Sequence, residues 1–111
     1  MKVLVREDDD LDAGVPAGRI RLDKWLWFAR FFKTRSVAAK QCVSGGFRVS
    51  GQPVTKANHL IRPGDVVTFP QGRHIRVVKV LELGLRRGPA PEAQALYEDL
   101  DPPRPETALP R

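Results

Sequence analysis

Apolar residues Leu22, Trp25, Leu26 and Ala29 recur at the i, i+3, i+4, i+7 spacing that lines one face of an α-helix, and Arg21, Lys24 and Phe28 fall on the opposite face. A first helix is therefore predicted just after Arg19, where the fold should begin. The pattern breaks at Phe31-Phe32-Lys33-Thr34. Thr34 has a hydroxyl able to accept from the free amides of a following turn, which predicts a second helix over residues 35–43, closed by the Gly45-Gly46 pair. Within it Ala38 with Cys42 and Ala39 with Val43 make a small apolar side, while Ser36, Lys40 and Ser44 form a polar stripe.

Beyond Gly46 the period falls to two. Phe47-Arg48-Val49 alternates, Ser50-Gly51 signals a turn, and Gln52-Pro53-Val54 resumes an extended course. Arg62-Pro63-Gly64-Asp65 is a second turn, residues 66–69 a strand, Gln71-Gly72 a third turn, and residues 74–83 a longer strand rich in β-branched side chains. After Pro89 and Pro91, residues 92–100 predict a short helix carrying Leu96, Tyr97 and Leu100. Pro102-Pro103-Arg104-Pro105 then ends regular structure. The predicted class is α+β: two packed helices against a small, mostly antiparallel sheet of four or five short strands.

Charge divides the chain into three parts. Residues 19–88 hold fifteen basic side chains against three acidic ones, Asp23, Asp65 and Glu82, a net +12. Residues 1–18 and 89–111 are each net −3, so the formal +6 of the 111-residue chain hides a strongly basic module between acidic flanks. Residues 1–18, with Glu7-Asp8-Asp9-Asp10 followed by Gly14, Pro16 and Gly18, read as a flexible arm. Residues 19–88 read as the domain, and residues 89–111 as a short helix with an acidic, proline-rich tail. A basic module of this size points to a polyanionic partner.

Other chemistry is thinly represented. Cys42 is the single cysteine, so an intrachain disulfide or a cysteine-based zinc cluster is excluded. His59 and His74 have no metal-spaced neighbours and read as surface or strand histidines. Cys42 reads as buried and inert, and Asp23 as a first-turn helix acid or a salt-bridge partner. No nucleophile–base pair, Walker-type loop or cofactor motif is visible, so the chain is expected not to be an enzyme and to need no cofactor, metal or small-molecule substrate. The opening turns acidic where a signal peptide needs an apolar core, and no apolar run reaches membrane-spanning length. A cytoplasmic protein without a membrane partner, monomeric when free, is expected.

If the two helices pack apolar sides inward, Arg21, Lys24, Lys33, Arg35 and Lys40 can share one surface, with Arg48 delivered by the strand after Gly46. Such a cluster suits phosphate oxygens and needs no base identity. Arg35 would sit in the first turn of the second helix, where free N–H groups add to the pull on an anion. These charges could equally be an ordinary solvated face, but fifteen basic residues against three acidic ones favour binding. Trp25 and Leu26 belong to the core stripe. Trp27, Phe28, Phe31 and Phe32 cannot all face a small core; core packing is expected for the larger share of them, with one ring left to stack on a base or a ribosomal surface.

The ordered set Arg21-Leu22-Asp23-Lys24-Trp25-Leu26-Trp27, Lys33-Thr34-Arg35-Ser36, Gly45-Gly46-Phe47-Arg48-Val49-Ser50-Gly51-Gln52, Lys56 and Arg62-Pro63-Gly64-Asp65-Val66-Val67 resembles the RNA-binding domain first described in ribosomal protein S-four. With Ala29-Arg30-Phe31-Phe32 and the stretch 90–98 included, it is similar to the ribosome-associated heat-shock family within that group. The resemblance implies a module that contacts structured ribosomal or transfer RNA through its helix corner. It makes Arg21, Lys24, Lys33, Thr34, Arg35, Ser36, Lys40, Arg48 and Lys56 the contact candidates. For the heat-shock group it further implies binding, under stress, to a large ribosomal subunit that still carries a nascent chain on transfer RNA, in rescue or recycling. Members of that group often continue into a long basic extension, whereas this chain turns acidic at Glu98-Asp99-Leu100-Asp101. Two alternatives stay open: a DNA-binding helix–turn–helix protein, and a ribosome-assembly factor.

Overall fold

The structure is a computed structural model that describes residues 12–101. The acidic run Glu7-Asp8-Asp9-Asp10 and the proline-rich tail lie outside the described residues, so most of the predicted arm and tail does too. Strand β1 (Ile20–Arg21) leads directly into helix α1 (Leu22–Phe28), and helix α2 (Arg35–Ser44) follows after the corner. Then come β2 (Phe47–Val49), β3 (Gln52–Val54), β4 (Leu60–Ile61), β5 (Val66–Gln71), β6 (His74–Val80), helix α3 (Ala90–Gln94) and β7 (Tyr97–Asp99). The five-stranded sheet has the order β3-β2-β5-β6-β7, and every neighbouring pair is antiparallel. β1 and β4 form a separate two-stranded ribbon. The α+β class and the two-helix layer agree with the sequence pattern.

Each end of the two main helices has an identifiable cause. α1 has no side-chain cap at Arg21; its first amides are satisfied from afar, Leu22 N donating to the His59 carbonyl at 2.8 Å and Asp23 N to that of Ala57 at 3.2 Å. At the other end Arg30 adopts φ 65°, while Arg30 N donates to Trp27 O and Phe31 N to Leu26 O. This paired return is a Schellman closure, unusual in placing arginine in the left-handed position. In α2, Thr34 Oγ accepts from Val37 N at 3.0 Å. Gly45 and Gly46 then leave the helix with φ of 109° and 86°. Thr34→Ala is expected to lower stability by about 1 kcal/mol, read as a melting temperature lower by roughly 4–8 °C.

The core lies between the helices and one face of the sheet. Leu22, Trp25 and Leu26 meet Phe47, Val67, Phe69, Val78 and Val80, and Phe47 stacks on Phe69 with ring centroids 5.5 Å apart. Three expectations need correction. Phe28, placed on the polar face of α1, is buried, because Gly84 and Leu96 from the far end of the chain close over it. Phe31 is buried as well, and Trp27 and Phe32 pack half-buried against the core, in line with the larger share given to core packing for this aromatic run. The predicted helix over 92–100 is a one-turn helix followed by β7, whose pairing with β6 outweighs local helix preference. Val43 is exposed, and only Ala38 and Cys42 of the small-residue side of α2 are fully buried.

Candidate nucleic-acid interface

Asp23 organises the basic corner. It stands in the first turn of α1 with 1 % of its surface exposed, and the Arg21 side chain grips it with Nε to Oδ1 at 3.1 Å and Nη2 to Oδ2 at 2.9 Å. Arg35, the first residue of α2 and 8 % exposed, approaches the same carboxylate with Nη2 at 3.5 Å from Oδ1. One buried acid thus ties the starts of both helices together through two guanidinium groups, which supply planar donors that suit a carboxylate.

On the solvent side of this pair sits Asp12. Its Oδ1 accepts from Arg35 Nη2 at 2.8 Å and its Oδ2 from Lys24 Nζ, and the Lys24 ammonium also lies over the Phe28 ring, 5.4 Å from its centroid. Burial alone would raise the Asp12 carboxyl; the hydrogen bonds from Arg35 and Lys24 outweigh it and hold the group below its ordinary range. Cys42 behaves oppositely: burial, reinforced by the charge of Asp23, pushes its thiol up to about 12.

Lys33 and Thr34 at the corner and Ser36 and Lys40 on α2 are exposed, and Val37 and Val43 are exposed on the same helix. Lys56 is exposed on the loop whose Ala57 and His59 carbonyls cap α1, so it stands at the helix-start end of the molecule. Arg48 does not join them. Phe47 and Val49 point into the core, and strand alternation sends Arg48 to the sheet face away from the helices, opposite Thr68 of β5. The sequence pattern put Arg21 and Arg35 on an open surface; the structure half-buries the first and buries the second, because both serve Asp23.

Several other basic residues are also structural. Arg30 Nε donates to the Gly88 carbonyl at 2.6 Å, and Arg87 Nε to that of Trp27 at 3.1 Å, while Arg87 also lies over the Trp27 ring. Arg76 pairs with Asp99 at 2.7 Å and covers Phe31. These contacts bind the helix corner to the C-terminal part of the fold. Sequence reasoning did not single out Asp12 as a partner of the basic face; the charge contrast between arm and domain was the only signal of it. A cleft of about 150 Å³ between Arg30, Phe31, Gln71, Arg76 and Tyr97 is smaller than the roughly 300–1,000 Å³ of small-molecule sites. Among the described residues no group of three or more His, Cys, Asp or Glu is placed to hold a metal ion, and no helix is long and apolar enough to cross a membrane.

Residues 20–67, from β1 into β5 and including both main helices and the Asp23 network, match the S4 domain family. The chain belongs to this S4-domain family. Within it the chain stands close to heat shock protein 15. It is 42 % identical over 83 residues to the heat shock protein 15 homolog of Aeromonas salmonicida, covering 75 % of this chain and 62 % of that protein. To heat shock protein 15 of Escherichia coli strain K12 it is 40 % identical over 84 residues, covering 76 % of this chain and 62 % of that protein. The chain therefore spans just under two thirds of the length of these relatives. The RQC P-site tRNA stabilizing factor of Halalkalibacterium halodurans is 32 % identical over 81 residues, 71 % of this chain and 88 % of that protein. The trimeric structure of Vibrio cholerae heat shock protein 15 superposes with a TM-score of 0.68 at 38 % identity, covering 73 % of this chain and 81 % of that one.

Proposed function

We propose that this chain binds structured RNA on the ribosome, through the corner between α1 and α2. The observation that carries the reading is the exposed basic surface of Lys33, Lys40 and Lys56, set on a rigid frame built by Arg21, Asp23 and Arg35. Exposed lysines on fixed elements suit phosphate oxygens, and Thr34 and Ser36 add hydroxyl donors at the same corner. Lys24 and Arg35 contribute from beneath, and Arg21 acts through Asp23. Arg48 serves a separate contact on the outer sheet face. The name of one relative, a stabilizing factor for P-site tRNA, supports transfer RNA on the ribosome as the setting; within it the proposed role is on a large subunit that retains nascent-chain transfer RNA, in rescue or recycling in the cytoplasm. Ribosomal RNA and peptidyl-transfer RNA are then the partners, and the action is binding without catalysis.

The test uses Lys33→Ala/Lys40→Ala. Arg35 is a poor probe, because changing it disturbs Asp23 and the fold together. The double variant is expected to bind transfer RNA about 10- to 100-fold more weakly at low salt, and to flatten the dependence of log K on log salt by roughly two, one for each phosphate that a lysine no longer neutralises. In sucrose gradients of bacterial lysate the wild type is expected with free large subunits and the variant at the top. A DNA duplex bound as tightly as its RNA counterpart would overturn the reading in favour of a DNA-binding protein.

A further inference from the structure

We infer that the Asp12 carboxylate occupies the seat of an RNA phosphate, so that the acidic segment carrying it competes with RNA for the Lys24–Arg35 pair. The inference rests on the RNA-binding reading above and adds its regulation. Lys24 comes from α1 and Arg35 from α2, yet each donates to a different oxygen of one carboxylate. A phosphate diester offers the same two-oxygen anionic edge with the same charge. Asp23, on the buried side, is already held by the Arg21 fork. Lys24 and Arg35 thus converge on the Asp12 carboxylate, on the solvent side of Asp23.

The segment behind Asp12 is built to leave. From residue 13 to residue 19 every side chain is exposed except half-buried Val15. Among the described residues its internal backbone bonds close local turns, Val15 N to Asp12 O and Arg19 N to Pro16 O, and Arg19 Nη1 donates to Gly18 O at 3.5 Å. Gly14 and Gly18 have φ of 83° and 81°, and among the described residues a Cβ at either would meet only open space. The ion pairs of Asp12 with Lys24 and Arg35 are therefore a main polar hold of this segment on the domain, and because the Asp12 and Lys24 side chains keep 21 % and 26 % of their surface in water, salt reaches the seat. Glu7, Asp8, Asp9 and Asp10 precede Asp12 in the chain and add to its negative charge. Because the competitor is covalently attached, it acts at a high effective concentration. An RNA that also engages Lys33 and Lys40 displaces it; a polyanion that touches the seat alone does not.

The experiment measures fluorescence anisotropy of labelled transfer RNA and of labelled oligouridine with the full chain, at about 50 and about 200 mM salt. Wild type, Asp12→Asn, Asp12→Glu and Lys33→Ala/Lys40→Ala are compared. Asp12→Asn is expected to tighten binding of both RNAs about 3- to 10-fold at the lower salt, and to steepen the log K against log salt slope by roughly one. Asp12→Glu should behave as wild type. Sulfate, the free-anion probe, should raise the melting temperature of Asp12→Asn more than that of wild type, a readout independent of RNA. Equal or weaker RNA binding by Asp12→Asn, with binding still dependent on Lys33 and Lys40, overturns this inference alone. Tightening by Asp12→Glu equal to that by Asp12→Asn also overturns it, since charge would then be irrelevant. RNA binding indifferent to every variant, or absent in all, overturns the RNA-binding reading and this inference with it.

Discussion

Asp23→Ala is expected to destabilise the protein by about 3–5 kcal/mol, the range for breaking a buried ion pair from one side. The carboxylate is 1 % exposed and holds the Arg21 fork and the edge of Arg35. Its removal takes from Arg21 and from Arg35, itself 8 % exposed, the buried carboxylate that both guanidinium groups approach. Asp23→Asn keeps an acceptor but not the charge and should fall between wild type and alanine. The measurement is the urea midpoint. Cys42 provides a second readout, because its thiol, pushed up to about 12 by burial first and by Asp23 second, is unreactive while the helices stay packed. Labelling by a thiol reagent near neutral pH should therefore be slow in wild type and about 100- to 1,000-fold faster in Asp23→Ala, in line with the larger open population. A loss below about 1 kcal/mol would mean that the network is screened like a surface pair.

Trp25→Ala is expected to be equally damaging, at about 3–5 kcal/mol, and its effect reaches beyond the helices. The indole is fully buried, lies 6.1 Å from Phe31 and 6.5 Å from Tyr97 between ring centroids, and donates from Nε1 to the Glu82 carbonyl at 2.9 Å. It therefore joins the segment matched by the S4 domain family to the part of the chain beyond it, which supplies α3 and β7. Trp25→Phe retains most of the apolar surface but leaves the Glu82 carbonyl without this donor, and should cost about 1–3 kcal/mol. If the two substitutions differ by less than about 1 kcal/mol, burial of the ring is a smaller contribution than the single hydrogen bond. Hydrogen exchange at β7 should accelerate in the alanine variant, because Leu81 N and Glu82 N donate to Leu96 O and share that anchor.

The legible parts of the fold were those governed by neighbours in sequence. The apolar period of α1, the Thr34 cap, the Gly45-Gly46 exit and the alternation of β2 each depend on side chains within one or two turns of one another, and all are present in the structure. β1 and β4 escaped because two residues carry no period, and they are brought together across the chain by the register Ile20 with Ile61 and Arg21 with Leu60. β7 escaped because Leu96 and Tyr97 suit a helix until β6 offers an unpaired edge. Phe28 was misplaced because the residues that cover it, Gly84 and Leu96, are more than fifty positions away.

The same division holds for the interface. Amino-acid order by itself determined the two-helix corner, the concentration of positive charge between residues 19 and 88 and the acidity of the arm, since these depend only on composition and local spacing. Tertiary structure decided which charges remain available. Arg30 and Arg87 are drawn to backbone carbonyls, Arg76 to Asp99, and Arg21 and Arg35 to Asp23, whereas Lys33, Lys40 and Lys56 stay in water. Asp12 meets Arg35 across twenty-three positions. A charge is neutralised by whatever lies within a few ångströms of it, and that distance is set by packing and not by position along the chain.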